Sequence, residues 1–127
     1  MSENTQESTF EAPLDALISE WRDWKATAAE LGVSVSKVRQ LIREHQLAAA
    51  VPTPGAGQQI PAELVMDGVI VKGLRATITL LSDAGFTDPE IIEWLFESED
   101  SLPGRPITAL RENRGREVHR RAQVAGF

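Results

Sequence analysis

Apolar side chains recur along the start of the chain at Leu14, Leu17, Ile18 and Trp21, the i, i+3, i+4, i+7 spacing of one stripe on a helix. Pro13 stands just before them, where a first helical turn has no use for the N–H that proline lacks. A second, shorter helix is predicted from Lys25 or Ala26 to Leu31, ended by Gly32, and Ser34 or Ser36 is placed to cap a third. In that third helix Val35, Val38, Leu41 and Ile42 form the inward face, while Lys37, Arg39, Gln40 and Arg43 point outward. Two short helices joined by a tight turn are the sequence form of a helix-turn-helix.

Beyond the third helix the period shortens. Leu47 to Val51 is apolar and extended in character, Pro52 to Gly57 is rich in Pro and Gly, and Gln58 to Ile60 can return as a partner strand, so a small wing is expected. A two-stranded hairpin cannot stand alone, and this one must pack on the preceding helices. Pro61 to Val65 reads as a short helical turn and Met66 to Val71 as a connector. Lys72 to Ala84 then forms a helix with Leu74, Thr77, Ile78 and Leu81 inward, ended by Gly85. Thr87 or Asp88 caps the next, with Pro89 at its first position and Ile91, Ile92, Trp94, Leu95 and Phe96 supplying bulk. A turn-rich bridge over 101–106 leads to Ile107–Leu110 and a last helix from about Asn113 to Ala125, with Val118 and Ala122 inward. Trp21, Trp24 and Trp94 are spaced as core anchors. The pattern is mainly α: a winged helix-turn-helix with a small β-hairpin over 13–65, packed against a C-terminal helical domain over 66–127, behind a disordered acidic tail over 1–12.

Composition narrows the chemistry. With 127 residues, 42% of them hydrophobic, the chain can bury one compact core. No cysteine is present, which removes disulfides and thiolate metal sites, and His45 and His119 lack metal-ligand spacing. Gly55-Ala56-Gly57 lacks the Lys and Ser or Thr of a nucleotide loop, and no serine sits in a G-x-S-x-G setting. Glu90, Glu93 and Glu97 share a helical face without a partner nucleophile. A protein without cofactor or catalytic activity is expected. The first eleven residues carry three glutamates, no base and no apolar run before Phe10, unlike a signal peptide, so a cytoplasmic location away from membranes is expected.

The net charge of −6 is unevenly placed: −5 over 1–30, +2 over 31–60, −7 over 61–100 and +4 over 101–127. Contact with double-stranded DNA must therefore come from local basic patches. In the third helix Ser36, Lys37, Arg39, Gln40 and Arg43 form such a face. Arginine can fork onto guanine, glutamine can read adenine, and serine or lysine can hold phosphate. The same pattern also suits a merely solvated helix face. The wing loop has no Lys or Arg, which predicts modest affinity. For the terminal cluster of Arg111, Arg114, Arg116, Arg120 and Arg121 two readings stand: contact with phosphate or a partner protein, or neutralisation of the seven acids from Asp83 to Asp100 across a packed helix pair.

From Trp24 to Phe127 the chain resembles a small actinobacterial family of DNA-binding proteins with a winged helix-turn-helix and a C-terminal domain. The likeness rests on Leu31-Gly32-Val33-Ser34-Val35-Ser36-Lys37-Val38, Gly68-Val69-Ile70-Val71-Lys72-Gly73-Leu74, Ile91-Ile92-Glu93-Trp94-Leu95-Phe96, Arg105-Pro106-Ile107-Thr108-Ala109-Leu110 and Arg116-Glu117-Val118-His119-Arg120-Arg121-Ala122-Gln123 in this order. It implies a transcriptional regulator or nucleoid-associated factor. Some members of the family are substrates of a membrane Ser/Thr protein kinase, which implies such a kinase as a partner and phosphorylation at Thr5 or Thr9, the threonines of the short tail. Leu102 to Leu110 followed by a basic helix also resembles the toxin-binding end of certain antitoxins. The alternative function is thus a protein-interaction module acting through the C-terminal domain.

Overall fold

The computed structural model describes residues 14–98 and 104–125. The expected acidic tail, with Thr5 and Thr9, and residues 101–103 of the bridge lie outside the described residues.

A helical segment over residues 14–17 (α1) ends with the Ile18 N–H donating to the Leu14 carbonyl at 3.1 Å, and Leu14 and Ile18 are both buried. The helix stops short of the predicted stripe. Trp21 lies instead in strand β1 (Trp21–Arg22), which pairs antiparallel with β2 (Ile60–Pro61), Trp21 opposite Pro61 and Arg22 opposite Ile60. Pairing with a segment distant in sequence has replaced one further helical turn, as tertiary context can for an aromatic residue suited to a half-buried strand.

Helix α2 (Trp24–Leu31) begins where the Asp23 carboxylate accepts the Ala26 N–H at 2.7 Å. It ends at Gly32, whose φ of 70° is the left-handed conformation that glycine adopts without a steric penalty. Ser34, of the two serines, caps α3 (Val35–Arg43), its Oγ accepting the Lys37 N–H at 3.1 Å. Val35 therefore lies inside the first turn. Residues 47–50 are buried but form no strand: Ala50 and Gln59 exchange two backbone hydrogen bonds, at 3.0 and 2.8 Å, and make a single bridge. The expected wing is thus a one-bridge loop over 51–58, because Ile60 passes on to pair with β1.

After a 3-10 turn (Ala62–Leu64), β3 (Val65–Met66) and β4 (Val69–Ile70) form an antiparallel hairpin where a connector was expected. Asp67 and Gly68 both have positive φ, 55° and 79°, as a two-residue type I′ turn demands. Four helices follow: α4 (Leu74–Asp83), α5 (Asp88–Phe96), α6 (Pro106–Arg111) and α7 (Gly115–Ala125). Leu74, Thr77, Ile78 and Leu81 are buried on α4, as their spacing predicts. Thr87 caps α5 in a reciprocal capping box with Glu90, which puts Asp88 at the first helical position and Pro89 at the second. Helix α7 packs on α4 and α6, and α5 packs on the same two.

One hydrophobic core runs from Leu14 through Val38, Leu64 and Ile78 to Ala122. The helical C-terminal half is pinned to the 3-10 turn through Glu63. Arg105 grips its carboxylate with two nitrogens at 2.8 and 3.2 Å, and Arg111 Nη1 donates to its backbone carbonyl at 2.7 Å. A bidentate guanidinium–carboxylate pair fixes orientation as well as distance.

Candidate nucleic-acid interface

Val38 and Leu41 anchor α3 in the core, and their burial turns Ser36, Lys37, Arg39 and Arg43 outward as exposed side chains. Gln40 is half-buried, and its Nε2 donates to Glu44 Oε2 at 3.0 Å, so base reading by this amide requires that hydrogen bond to open. Successive residues of a helix are turned by about 100°, which sets Ser36, Gln40 and Arg43 along the middle of the exposed face. Lys37 and Arg39 fall on opposite flanks.

On the Arg39 flank the guanidinium carbon sits 6.0 Å from the centroid of the Trp24 ring, within cation–π range. Trp24, Arg39, Ile42, Arg43 and Gln58 line an open groove of about 360 Å³ between α3 and the wing. The uncharged wing thereby brings a glutamine beside two arginines. On the other flank Lys37 shares a groove of about 270 Å³ with the β3–β4 hairpin and Arg75 of α4. Sequence reasoning gave Arg75 no role. Its only signal there was a lone arginine in a strongly acidic stretch.

The terminal arginines do not act as one cluster. Arg111 serves backbone carbonyls of Glu63 and Val65, and Arg114 pairs with Glu112 at 2.9 Å and Glu117 at 3.4 Å. Arg116, Arg120 and Arg121 are exposed on α7. Among the described residues no ion pair joins Asp83, Asp88, Glu90, Glu93 or Glu97 to Arg111, Arg116, Arg120 or Arg121, and α7 packs on α4 and α6; Glu99 and Asp100 of the same acidic stretch lie outside the described residues. Trp24 and Trp94 are half-buried against the core, as is Trp21 from its strand.

The remaining titratable groups serve the fold. His45 follows α3 with a φ of 59°, and its carbonyl accepts the Thr79 hydroxyl at 3.2 Å. His119 Nε2 lies 3.0 Å from the Gly73 carbonyl, which can only accept, so this nitrogen carries the proton. Burial holds the Asp88 carboxyl above the ordinary aspartate range, opposed by the Ala49 N–H that donates to it at 3.4 Å and by the charge of His45. Glu93 is raised likewise, first by burial and then by Glu97 and Glu90. Among the described residues no group of three His, Cys, Asp or Glu side chains could hold a metal ion, and no helix is long and apolar enough to cross a membrane.

Residues 14–64 match the family described as "DNA-binding protein Rv2175c, wHTH domain", and residues 71–126 match the "Rv2175c C-terminal domain of unknown function". The chain is 37% identical over 118 residues to the DNA-binding protein Rv2175c of Mycobacterium tuberculosis, covering 83% of this chain and 80% of that relative. It belongs to the Rv2175c family. The NMR structure of Rv2175c superposes with a TM-score of 0.76 at 36% identity, covering 85% of this chain and 82% of that one. The mainly helical fold with a winged helix-turn-helix is therefore shared with Rv2175c, and α3 is the second helix of the helix-turn-helix within the matched DNA-binding domain. The β3–β4 hairpin spans most of the gap between the two matched segments.

Proposed function

We propose that this protein binds double-stranded DNA by seating α3 in the major groove, with residues 13–65 as the reading unit and 66–127 as a helical domain built onto it. The observation that carries the reading is the exposed face of α3, where Ser36, Lys37, Arg39 and Arg43 stand opposite a buried seam of Val38 and Leu41. Arg39 and Arg43, with Gln58 beside them, are the base-reading candidates. Ser36 and Lys37 are suited to phosphate, and Gln40 joins once released from Glu44. Affinity is modest because the wing loop carries no cation. A cytoplasmic regulatory or nucleoid-associated role follows from such binding. No catalytic step is proposed.

A second surface is offered by α7, where exposed Arg116, Arg120 and Arg121 adjoin an exposed Val124, a combination suited to a protein partner. Phosphorylation of Thr5 or Thr9 by a Ser/Thr kinase would add roughly −1.5 to −2 charge and oppose an approach to DNA. The central test is titration of a labelled duplex by fluorescence anisotropy at two salt concentrations. Micromolar binding that the Lys37→Ala, Arg39→Ala double substitution removes is expected. Nanomolar binding at physiological salt, or binding indifferent to the substitution, overturns the reading.

A further inference from the structure

We propose that Arg75 of the C-terminal domain and Lys37 of α3 form a phosphate clamp that grips the DNA backbone on the side of α3 away from the wing. The inference rests on the reading of α3 as the DNA-binding helix, and it gives the second domain a part in that binding.

A helix lying in a major groove, about 12 Å wide, has a phosphate strand along each flank. The wing flank of α3 offers Arg39, Arg43 and Gln58. The opposite flank is built from both domains: Lys37 and Arg75 line one groove with apolar walls from Val33 and Leu41 of the helix-turn-helix and Val69 and Ile70 of the hairpin. No carboxylate lines this groove. Val33 and Val69 are 37% and 60% exposed, so each cation stands beside an accessible apolar side chain, a surface matched to alternating phosphate and deoxyribose. Asp67 at the hairpin tip and Glu30 next to Leu31 adjoin lining residues in sequence; Asp67 is exposed, while Glu30 is half-buried and paired with Arg22.

Arg75 is also held in place. Its Nη1 donates to Gln46 Oε1 at 3.0 Å, and Gln46 lies just beyond the carboxyl end of α3. A guanidinium has five N–H donors, so this tether orients the fork without exhausting it. The segment 61–100 contains nine acidic residues and two basic ones, Lys72 and Arg75. Both basic residues are exposed, Lys72 just before α4 and Arg75 in its first turn, beside the hairpin. The most acidic stretch of the chain thereby turns its positive charge toward the strand that α3 would hold.

The test measures affinity of the full chain for a fluorescent 30-base-pair duplex, of fixed and of scrambled sequence, between 50 and 200 mM NaCl. Each phosphate contact steepens the plot of log affinity against log salt by about 0.9, worth about threefold over this range. Arg75→Ala and Lys37→Ala are each expected to flatten the slope by that amount on both duplexes, while Arg75→Lys keeps it. Gln46→Ala removes the tether alone and should leave the slope close to that of the parent chain. If Gln46→Ala reproduces the Arg75→Ala loss and Arg75→Lys does not rescue it, Arg75 merely joins α4 to α3 and the clamp is overturned. A flattened slope for Lys37→Ala with an unchanged one for Arg75→Ala also overturns the clamp, leaving the helix reading intact. Unchanged binding for Lys37→Ala and Arg39→Ala alike removes both.

Discussion

Helices α3 and α7 both carry a basic face, and they differ in what surrounds the charge. On α3 the grooves hold Trp24 and Gln58 on one flank and Arg75 on the other, and the one carboxylate on the helix face, Glu44, is hydrogen-bonded by Gln40. At the start of α7 Arg114 is engaged by Glu112 and Glu117, and His119 is turned inward to the Gly73 carbonyl. Arg116, Arg120 and Arg121 stand exposed along α7, whereas the α3 cations Lys37, Arg39 and Arg43 line grooves shared with neighbouring elements. What is available for recognition is set by the surroundings of a cation more than by its presence.

Five measurements would break or sharpen this contrast. The largest effect is expected from Leu41→Ala, which empties a nearly fully buried position on the seam that holds the α3 face outward. It should cost about 2 to 5 kcal/mol in urea denaturation, and a loss under 1 kcal/mol would mean that the seam does not set the helix. Next, Lys37→Ala with Arg39→Ala should weaken duplex binding by about tenfold or more, since a bidentate base contact alone is worth about 1 to 3 kcal/mol. Arg116→Ala with Arg120→Ala on α7 should change it by less than about twofold, and equal losses would erase the distinction between the helices. Ser34→Ala removes the cap that starts α3 and should lower stability by about 1 kcal/mol, read as a shift in urea midpoint at constant slope.

The smallest effect concerns Asp88, which lines a cleft with Ala49, Ala50 and Gln58 below the wing. Its raised carboxyl value means that the folded protein holds this proton more tightly than the unfolded chain does. The associated stability is present at acid pH and is lost as pH rises through the folded-state value. Asp88→Asn keeps an oxygen for the Ala49 N–H and removes the buried charge. It should melt slightly above the parent protein at neutral pH, with the gap closing as pH falls through the carboxylate range. A parent protein that melts higher at neutral pH would show that the charge stabilises the fold.

Local signals made much of this fold legible. Gly32 and Ser34 bracket the turn between α2 and α3, and the stripe of Leu74, Thr77, Ile78 and Leu81 is buried as its spacing predicts. What escaped was mostly nonlocal. Trp21 completes a helical stripe on paper, and only pairing with Ile60–Pro61, distant in sequence, makes it a strand residue. Arg111 resembles its basic neighbours until the carbonyls of Glu63 and Val65 are brought to it. The β3–β4 hairpin is different, because its signal was local: Asp67-Gly68 between Val65-Met66 and Val69-Ile70 is a strong short-range hairpin pattern. At the candidate site the five outward residues of α3 could be read from the sequence. The division of Arg39 and Arg43 from Lys37 between two grooves depends on Gln58 and Arg75, which no helical period can supply.

That same hairpin has a mechanical consequence. Its six residues fix both register and twist, and the Val71 N–H donates to the Leu64 carbonyl at 3.0 Å just outside the ladder. A flexible tether would absorb rotation between the halves of the chain, whereas a paired ladder transmits it. The C-terminal helices are therefore coupled to the helix-turn-helix through a paired ladder as well as through the shared core, so rotation of one half is carried to the other.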